Sequence, residues 1–338
     1  MITVTAIVLA YGDEPWLEVC VEALLASRGV TVDVVVVDNG CTSREAVEAV
    51  AHRPGVMLLR PGTNLGFAGG CNAGAAPARG QVLAFVNSDA VVEPDALARL
   101  AAVACRRGVG IASGNIRLAD RPDRLNSAGN PISYVGLSWA GAFGDLADAH
   151  PEERDVAGAS GAGFAIRRRL WEELGGFDSA YFAYHEDVEL SWRCWRRGRR
   201  VVYVPDAVVI HHYDFARNPR KYELLERNRL LFVLTVFEAR TLALIIPALL
   251  AVEAAMLAVS VEQGWWSAKI RGWGWILRHV HHVRQRRAQL RDERRVADRD
   301  LAWLLEGGFA PRNVDLSRPG VVFGRILAAY WELVRRLL

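Results

Sequence analysis

The chain has 338 residues, of which 51% are hydrophobic and 23% charged, and this composition is ordinary for a globular protein with a large core. Its formal net charge of +3 is too small to indicate nucleic-acid binding, although the basic residues are concentrated in the last third of the chain. The five cysteines are odd in number, widely spaced and without a CxxC pair. They argue against a disulfide framework and a zinc site, and they favour a reducing cytoplasm. The N-terminus enters an apolar run without a basic leader, so we expect no secretory signal.

The first part of the chain alternates short apolar runs with amphipathic stretches. The runs predicted as strands are residues 4–9, 32–37, 56–59 and 82–86. The stretches predicted as helices are residues 16–26, 44–51, 70–78 and 94–106. Strands that alternate with helices indicate a mostly parallel sheet covered on both faces. Ligands of such sheets bind outside the carboxyl ends of the strands, so functional residues are expected there.

The alternation weakens after residue 110. Residues 126–163 contain many Gly and Ser residues and indicate loops or hairpins, followed by a helix at 187–197 and a strand at 201–204. From Arg229 the character changes again, because residues 242–261 are apolar apart from Glu253 and are followed by tryptophans and arginines. We therefore predict two regions, 1–230 and 231–338.

Two polar segments follow predicted strands in the first region. Asp38-Asn39-Gly40 comes directly after a strand, where the acid could accept a hydrogen bond from a nucleobase or ribose, or could simply form a turn. The segment 64–72 is rich in glycine and opens a helix, so its backbone amides could approach a diphosphate. The alternative for this segment is a plain connection between a strand and a helix.

Asn87-Ser88-Asp89 ends the most hydrophobic of these strands, which holds a carboxylate at the rim of the sheet. Mg²⁺ or Mn²⁺ often uses only one or two protein carboxylates together with substrate phosphates, so Asp89 is a candidate ligand. The alternative is a helix cap. His211 follows another apolar run and could complete the metal shell, or it could be structural.

Glu186-Asp187 follows an aromatic stretch, residues 177–185. A carboxylate in a partly desolvated cleft can act as general base toward an alcohol, because desolvation raises its pKa toward neutrality. The alternative is that two acids at a helix start interact favourably with the helix dipole.

The following motifs occur in order within residues 2–230: Val36-Val37-Asp38-Asn39-Gly40, Asn64-Leu65-Gly66-Phe67-Ala68-Gly69-Gly70-Cys71-Asn72, Asn87-Ser88-Asp89, Gly175-Gly176-Phe177-Asp178, His185-Glu186-Asp187-Val188-Glu189-Leu190, His211-x-Tyr213-x-Phe215 and Glu226-Arg227-Asn228-Arg229. As an ordered set they resemble the inverting glycosyltransferases of family 2, and especially their bacterial rhamnosyltransferase-like branch. The resemblance implies an α/β GT-A fold, with a Rossmann-like mixed, mostly parallel sheet, helices on both faces and a C-terminal helical appendage.

The resemblance also implies roles for individual residues. Asp187 would be the general base with Glu186 beside it, and Asp89 would bind Mg²⁺ or Mn²⁺ with His211 as a possible further ligand. The residues implied in donor binding are Ala10, Tyr11, Asp38, Asn39, Asn64, Gly66, Phe67, Asn72, Asn87 and Ser88. The residues implied in acceptor binding are Gly161, Tyr184, His185 and Trp192. Spacing alone does not distinguish Asp187 from its neighbour Glu186 as the base.

One position departs from the family pattern, which often has a second acid where this chain has Asn87. Losing that charge implies weaker metal binding that depends more on the substrate. The implied reaction is a single displacement with inversion at the anomeric carbon, because there is one base and no covalent nucleophile. The implied donor is a nucleoside-diphosphate sugar, with deoxythymidine-diphosphate rhamnose as first choice and uridine and guanosine donors behind it.

The second region allows three interpretations of residues 242–261: an interfacial or re-entrant helix, a soluble helical appendage, or a membrane span. Glu253 and Pro247 count against a span, whereas the following tryptophans and arginines suit an anionic membrane surface. Residues 323–338 indicate a second amphipathic helix. Because many relatives act on lipid-linked saccharides, we expect a cytoplasmic protein at the inner face of the membrane, with a saccharide or lipid-linked saccharide acceptor and no nucleic-acid partner. The oligomeric state is not predicted.

Two other functions compete with sugar transfer. A nucleotidyltransferase would also hold metal and nucleotide with acids on an α/β sheet, but its N-terminal loop is usually basic, whereas residues 10–14 are acidic. A catalytically silent saccharide-binding module would not need Asp38, Asp89 and Asp187 to be intact.

Overall fold

The computed structural model describes residues 1–213, 220–309, 311 and 318–338, so Phe215 of the aromatic motif lies outside the described residues. The strands are β1 Ile2–Gly12, β2 Val30–Cys41, β3 Val56–Leu59, β4 Val82–Val86, β5 Ala90–Val92, β6 Val109–Leu118, β7 Arg121–Ser127, β8 Ile132–Ser133, β9 Arg154–Asp155, β10 Gly163–Arg167, β11 Arg200–His211 and β12 Leu305–Glu306. The helices are α1 Leu17–Leu25, α2 Arg44–Ala51, α3 Gly66–Ala75, α4 Ala96–Ala104, α5 Arg168–Leu174, α6 Glu186–Arg196, α7 Lys221–Val236, α8 Ala239–Glu262, α9 Trp266–Arg278, α10 Val280–Asp292, α11 Asp298–Leu301 and α12 Arg318–Leu337.

The main sheet is mixed, as predicted. Its strand order is β3-β2-β1-β4-β10-β6-β11-β5, and β7 and β9 pair with β6 and β11. The four strands from β3 to β4 are parallel, and they are the four runs that the sequence predicts. Beyond them β10 is antiparallel to both of its neighbours, whereas β6 and β11 are parallel to each other. The carboxyl ends of β1, β2 and β4 therefore lie at one edge of the sheet.

The two faces of β1 are covered by different helices because successive side chains point to opposite faces. Val4, Ala6 and Val8 belong to the buried apolar cluster that also contains side chains of α1 and α4. On the other face, α3 lies so close to the sheet that a Cβ on Gly74 would come within 2.7 Å of Ile7. The glycines of α3 thus allow the close approach between helix and sheet, and the predicted helices on both faces are present.

The chain forms two compact units, which we call the sheet unit and the helical unit. The sheet unit comprises Met1–Asn130, Ala140–Cys194 and Arg199–Tyr213. The helical unit comprises Pro131–Trp139, Trp195–Gly198 and the described residues from 220 onward. Within the helical unit α7 packs against α9 and α10, and the ring of Tyr134 stacks on Trp331 with 4.8 Å between centroids.

Candidate active site

Asp38 lies at the carboxyl end of β2 and has one oxygen in a turn and the other toward a cleft. Its Oδ1 atom accepts hydrogen bonds from the backbone N–H groups of Gly40 and Cys41, at 3.2 and 2.9 Å. Its Oδ2 atom lies 3.7 Å from Nε of Arg60. The cleft has a volume of about 430 Å³ and is lined by residues that include Asp38, Arg60 and Asn64. Asp38 therefore forms the turn and also lines a cleft, and its role in donor binding stays a prediction.

The end of β1 lies beside this cleft. Ala10 pairs with Asp38 in the parallel ladder and is fully buried, so the predicted donor contact cannot come from its side chain. Tyr11 is 52% exposed, and its ring lies 3.7 Å from the position of a Cβ on Gly40. Of these two predicted donor-binding residues, only Tyr11 has a side chain that is accessible from solvent.

Asn39 is buried and holds the glycine-rich loop in place. Its Nδ2 donates to Asn64 Oδ1 and to the carbonyl of Gly66, at 3.0 and 3.2 Å. Its Oδ1 accepts from the backbone N–H of Leu65 at 2.8 Å. Asn39 thus positions the loop, whereas Asn64 is exposed and lines the cleft. Gly66 is buried and Phe67 is half-buried at the start of α3.

Asn72 is used differently from the prediction. Its side chain forms two hydrogen bonds with the backbone of Phe177, one from Nδ2 to the carbonyl and one from the N–H to Oδ1, each at 2.9 Å. Nδ2 also donates to Ser179 at 3.2 Å. The carboxamide therefore clamps α3 to the segment before α6, and this geometry does not support a direct donor contact. A sequence motif does not reveal whether an Asn points toward a ligand or toward the backbone.

Asp89 and His211 form a pair at the rim of the sheet. Asp89 Oδ1 lies 3.2 Å from His211 Nε2, and the strand β5 that follows Asp89 pairs with β11, which ends at His211. Asn87 Nδ2 lies 3.3 Å from the same Nε2 atom, and Ser88 is buried between them in sequence. The two predicted segments Asn87-Ser88-Asp89 and His211 are thus brought together here.

A fourth residue, Asn126 on β7, orients the imidazole. Its Oδ1 atom lies 3.0 Å from Nδ1 of His211, and both residues are buried. A carbonyl oxygen can only accept, so Nδ1 donates this hydrogen bond and Nε2 is the ring nitrogen that faces Asp89. The sequence analysis missed Asn126, because one Asn in a segment read as loops gives no signal.

These side chains fit a sparsely ligated divalent ion. A carboxylate oxygen and an imidazole nitrogen with its lone pair available are suitable ligands for Mn²⁺, and the bond to Asn126 is the outer contact that such ligands commonly have. In the part of the chain that the structure describes, no group of three or more His, Cys, Asp or Glu side chains could hold a metal. An ion here would take its remaining ligands from the donor's diphosphate and water.

Replacing Asn126 by Ala is expected to weaken Mn²⁺ binding by about 10–100-fold, because His211 loses the partner that fixes its tautomer. Electron paramagnetic resonance titration of Mn²⁺ in the presence of a nucleoside diphosphate measures this directly. The matched control is Asn115→Ala, which removes a buried Asn of the neighbouring strand β6 that donates to Pro205 instead. Equal Mn²⁺ affinity in Asn126→Ala and the unmodified chain would contradict the assignment.

Asp187 lies at the start of α6 with both carboxylate oxygens hydrogen-bonded to backbone. Oδ2 accepts from the N–H of Gly161 at 2.9 Å, and Oδ1 accepts from the N–H of Val188 at 2.8 Å. There is little space around this contact, because a Cβ on Gly161 would lie 3.2 Å from Oδ2. Gly161, which the sequence predicts as an acceptor contact, is therefore hydrogen-bonded to the Asp187 carboxylate through its backbone N–H.

The two neighbouring acids differ in exposure and in pKa. Asp187 is half-buried, and burial raises its pKa to about 6, although the hydrogen bonds from Gly161 and Val188 oppose this rise. Glu186 is 5% exposed, and burial together with the charge of Asp187 raises its pKa well above the usual range. Among the described residues, Oε2 of Glu186 has no hydrogen-bond partner. At neutral pH Asp187 is ionised, whereas the raised pKa of Glu186 favours its protonated form.

The backbone before α6 is strained and packed against the glycine-rich loop. Phe182, Tyr184 and His185 have positive φ angles of 63°, 69° and 69°, which cost about 1–3 kcal/mol each in residues other than glycine. The carbonyl of Phe182 accepts from the N–H of Ala68 at 3.0 Å, and it lies only 2.4 Å from where a Cβ on Gly66 would be. The strained segment therefore joins the predicted donor loop to the start of α6.

The segment that contains Asp89 and the carboxylate of Asp187 are both hydrogen-bonded to the consecutive residues Gly161 and Ala162. Gly161 donates to Asp187, and the carbonyl of Ala162 accepts from the N–H of Asn87 at 3.2 Å. Because consecutive Cα atoms are about 3.8 Å apart, the segments 87–89 and 186–187 lie side by side. The site is therefore one rim at which acids from distant segments converge.

The predicted acceptor residues are placed unequally. Tyr184 is half-buried, and His185 is 7% exposed. Trp192 is fully buried on the inner face of α6, so the prediction that it contacts the acceptor is not supported by its position. Sequence spacing does not show which face of a helix turns inward. Arg60, which faces Asp38, is a further residue of the site that the sequence analysis missed.

Comparison with known proteins identifies relatives of the chain. A sequence profile described as "Glycosyltransferase like family 2" matches residues 3–230. The N-acetylglucosaminyl-diphospho-decaprenol L-rhamnosyltransferase of Mycobacterium tuberculosis is 30% identical over 241 residues, which cover 64% of this chain and 78% of the relative.

Two solved structures share the fold at low sequence identity. GalNAc-T7 with UDP, GalNAc and Mn²⁺ is 17% identical with a TM-score of 0.57, over 70% of this chain and 48% of that one. The mannosyltransferase PcManGT from Pyrobaculum calidifontis, in complex with GDP-Man and Mn²⁺, is 18% identical with a TM-score of 0.51, over 99% of this chain and 86% of that one.

The mixed sheet matches the GT-A class of fold that these solved glycosyltransferases have. The match over residues 3–230 is more specific than this class. The chain belongs to glycosyltransferase family 2, as the resemblance implied.

Proposed function

We propose that the protein transfers a sugar, with inversion, from a nucleoside-diphosphate donor to a hydroxyl of a saccharide or lipid-linked saccharide. The observation that carries this proposal is the placement of the Asp187 carboxylate, held by Gly161 beside the Asp89–His211 pair. The rhamnosyltransferase relative supports rhamnose as the sugar and a lipid-linked diphosphosaccharide as the acceptor. We assign residues 1–230 to transfer and 231–338 to a helical, membrane-associated region at the cytoplasmic face.

Donor recognition rests on the cleft at the carboxyl ends of β1 and β2. The Oδ2 atom of Asp38 is the acceptor for the nucleoside, and its pairing with Arg60 orients it. Asn64 lines the same cleft, and the N-terminus of α3 behind it carries a partial positive charge toward the diphosphate. Asn39 and Asn72 contribute by fixing this loop.

The chemical step needs a base and stabilisation of the leaving group. Asp187 is ionised at neutral pH and accepts the proton of the acceptor hydroxyl, while its second oxygen stays bonded to the N–H of Gly161. Asp89 and His211 would hold the divalent ion, whose chemistry when bound is to neutralise charge on the diphosphate. In the proposed step the acceptor oxygen bonds to the anomeric carbon, the bond to the diphosphate oxygen breaks, and the diphosphate leaves as an anion.

The experiment is a panel of nucleotide sugars, with thermal shift for binding and a product assay for turnover. Deoxythymidine-diphosphate rhamnose is expected to stabilise the protein most in the presence of Mn²⁺ and to transfer rhamnose to a short-chain N-acetylglucosaminyl diphospholipid. Release of a nucleoside diphosphate supports glycosyl transfer. Formation of a nucleoside triphosphate and a sugar 1-phosphate from the nucleotide sugar and added pyrophosphate would indicate a nucleotidyltransferase. Binding without either set of products would indicate a saccharide-binding module.

A further inference from the structure

The exposed face of α8 is apolar between residues 243 and 261, and the exposed charged residues Arg240 and Glu262 lie at the two ends of the helix. Its exposed residues from 243 to 261 recur at helical spacing and carry no charge: Ala243, Ile246, Pro247, Leu250, Ala251, Ala254, Ala258 and Val261. Leu250 and Val261 are 64% and 61% exposed. This apolar face extends over about 27 Å, and a helix of a water-soluble protein normally presents polar residues on its outer side.

Glu253, in the middle of α8, and its charged partners on α7 and α9 lie on the inner side of the helix. Glu253 forms ion pairs with Arg229 of α7 and with Lys269 of α9, the latter at 2.9 Å, and accepts from Trp273 Nε1 at 2.5 Å. Arg229 and Lys269 are 1% and 0% exposed. Although burial opposes it, the charges of Arg229 and Lys269 lower the pKa of Glu226, which joins the same network. Between residues 243 and 261, α8 therefore has its charged side chain on the inner side and apolar side chains on the outer side.

This inner network decides between the orientations open to α8. Among the described residues, α8 is the helix whose length and apolar composition would allow it to cross a bilayer. Only 22% of its most apolar window is buried, so α8 is not a core helix. Its ion pairs tie it to α7 and α9, which carry the exposed Arg271 as well as the buried Arg229 and Lys269. Crossing the bilayer would take these charges into hydrocarbon, which is costly. An orientation in the plane of the membrane leaves them on the aqueous side.

A second helix extends the apolar face. Tyr330 of α12 donates to the carbonyl of Leu244 at 2.7 Å, and Arg240 donates to the carbonyl of Leu337, so α12 runs antiparallel to α8. The exposed apolar residues of α12 are Val321, Val322, Ile326, Ala329, Leu333 and Leu337. Exposed arginines flank them at positions 318, 325, 335 and 336, with one exposed acid, Glu332. An apolar face bordered by arginines is complementary to a membrane that contains anionic lipids.

We propose that the outer faces of α8 and α12 form a membrane-docking surface that lies in the plane of an anionic bilayer without crossing it. The apolar side chains enter the boundary between headgroups and acyl chains, and the flanking arginines contact lipid phosphates. This inference does not depend on the sugar that the protein transfers.

The test is flotation of the full chain with phosphatidylcholine vesicles, with and without phosphatidylglycerol. We expect binding to the anionic vesicles and a decrease of at least about tenfold in the double variant Leu250→Glu/Ile326→Glu. The matched control is Met57→Glu/Leu146→Glu, which places the same charges at comparably exposed apolar positions of the sheet unit and should not change binding. The double variant Arg325→Gln/Arg336→Gln should lose mainly the component of vesicle binding that depends on phosphatidylglycerol, and the remaining binding should be less sensitive to salt.

Four outcomes would overturn the proposal. In flotation, one is that the full chain does not float, and another is that both acidic double variants float equally well. A third is that Leu250→Glu converts a dimer to a monomer in sedimentation without reducing flotation, which would make the face a contact between copies.

The fourth concerns the orientation of α8, which is tested by cysteine labelling. With Ala239→Cys or Gln263→Cys in a Cys41→Ser/Cys105→Ser background, we expect both helix ends to react with an impermeant maleimide from the cytoplasmic side of membrane vesicles. Reaction of only one end would indicate a span.

Discussion

Replacing Asp187 by Asn is expected to lower the rate of sugar transfer by about a thousandfold while leaving binding of donor and Mn²⁺ intact. The amide retains the size of the carboxylate and an oxygen that can accept from the N–H of Gly161, but it cannot take the acceptor proton. Calorimetry with donor and Mn²⁺ beside a transfer assay measures both quantities. A fully active Asp187→Asn protein would refute the assignment of the base.

The neighbouring acid provides the matched control. Glu186 is buried, and burial together with the charge of Asp187 raises its pKa, which favours the protonated form; Glu186→Gln retains the size and neutrality of that form. We expect this variant to retain transfer within about tenfold, a small loss for a group that takes no proton. If Glu186→Gln were inactive and Asp187→Asn active, the roles of the two residues would be exchanged.

The pH dependence follows from the same geometry. Because burial raises the pKa of Asp187 to about 6, the base is ionised above that value and becomes protonated as the pH falls through it. The value of kcat/KM should therefore be level above about pH 6 and decrease about tenfold per unit below it. A profile that stays level well below pH 6 in the unmodified chain would contradict this prediction.

Replacing Asp89 by Ala is expected to abolish Mn²⁺-dependent binding of the donor together with transfer. The loss should be at least about 100-fold in Mn²⁺ affinity, because removal of an outer partner alone costs about 10–100-fold. The chain has Asn87 where relatives often have a second acid, so little negative charge remains to hold the ion once Asp89 is gone.

The readout for Asp89→Ala is paramagnetic resonance of Mn²⁺ with a nucleoside diphosphate, which reports binding without turnover. Asp206→Ala is the control, since it removes an exposed acid of β11 that pairs with Arg99 and lies outside the site. Unchanged Mn²⁺ affinity in Asp89→Ala would exclude this carboxylate as a ligand.

The sequence predicted the parallel half of the sheet because each of its strands is a continuous apolar run next to an amphipathic helix. Strands β3 and β4 have the predicted bounds, and α2 has them too. The prediction missed β6, although it is almost wholly buried, because Gly110, Ser113 and Gly114 interrupt its apolar pattern. These small residues fit the crowded centre of the sheet, where a Cβ on Gly114 would lie 3.1 Å from the carbonyl of Gly163.

The candidate site could be predicted where an acid follows a strand or opens a helix. Asp38, Asp89 and Asp187 all occupy such positions at one rim. What the sequence could not show is the direction of polar side chains whose partners are distant in the chain. Asn72 bonds to Phe177, 105 residues away, and Asn126 bonds to His211, 85 residues away. Local patterns contain no information on such pairings.

The support of Asp187 by a backbone group has a consequence for how this enzyme can change. The N–H of Gly161 belongs to the main chain, so substitutions elsewhere around the acceptor cannot delete it, and at position 161 itself proline is the replacement that lacks a donor. Asp187, the proposed base, thus keeps its orientation while the surrounding side chains are replaced. An evolving lineage, or an engineer recombining acceptor loops, can alter which hydroxyl is glycosylated without rebuilding the chemistry.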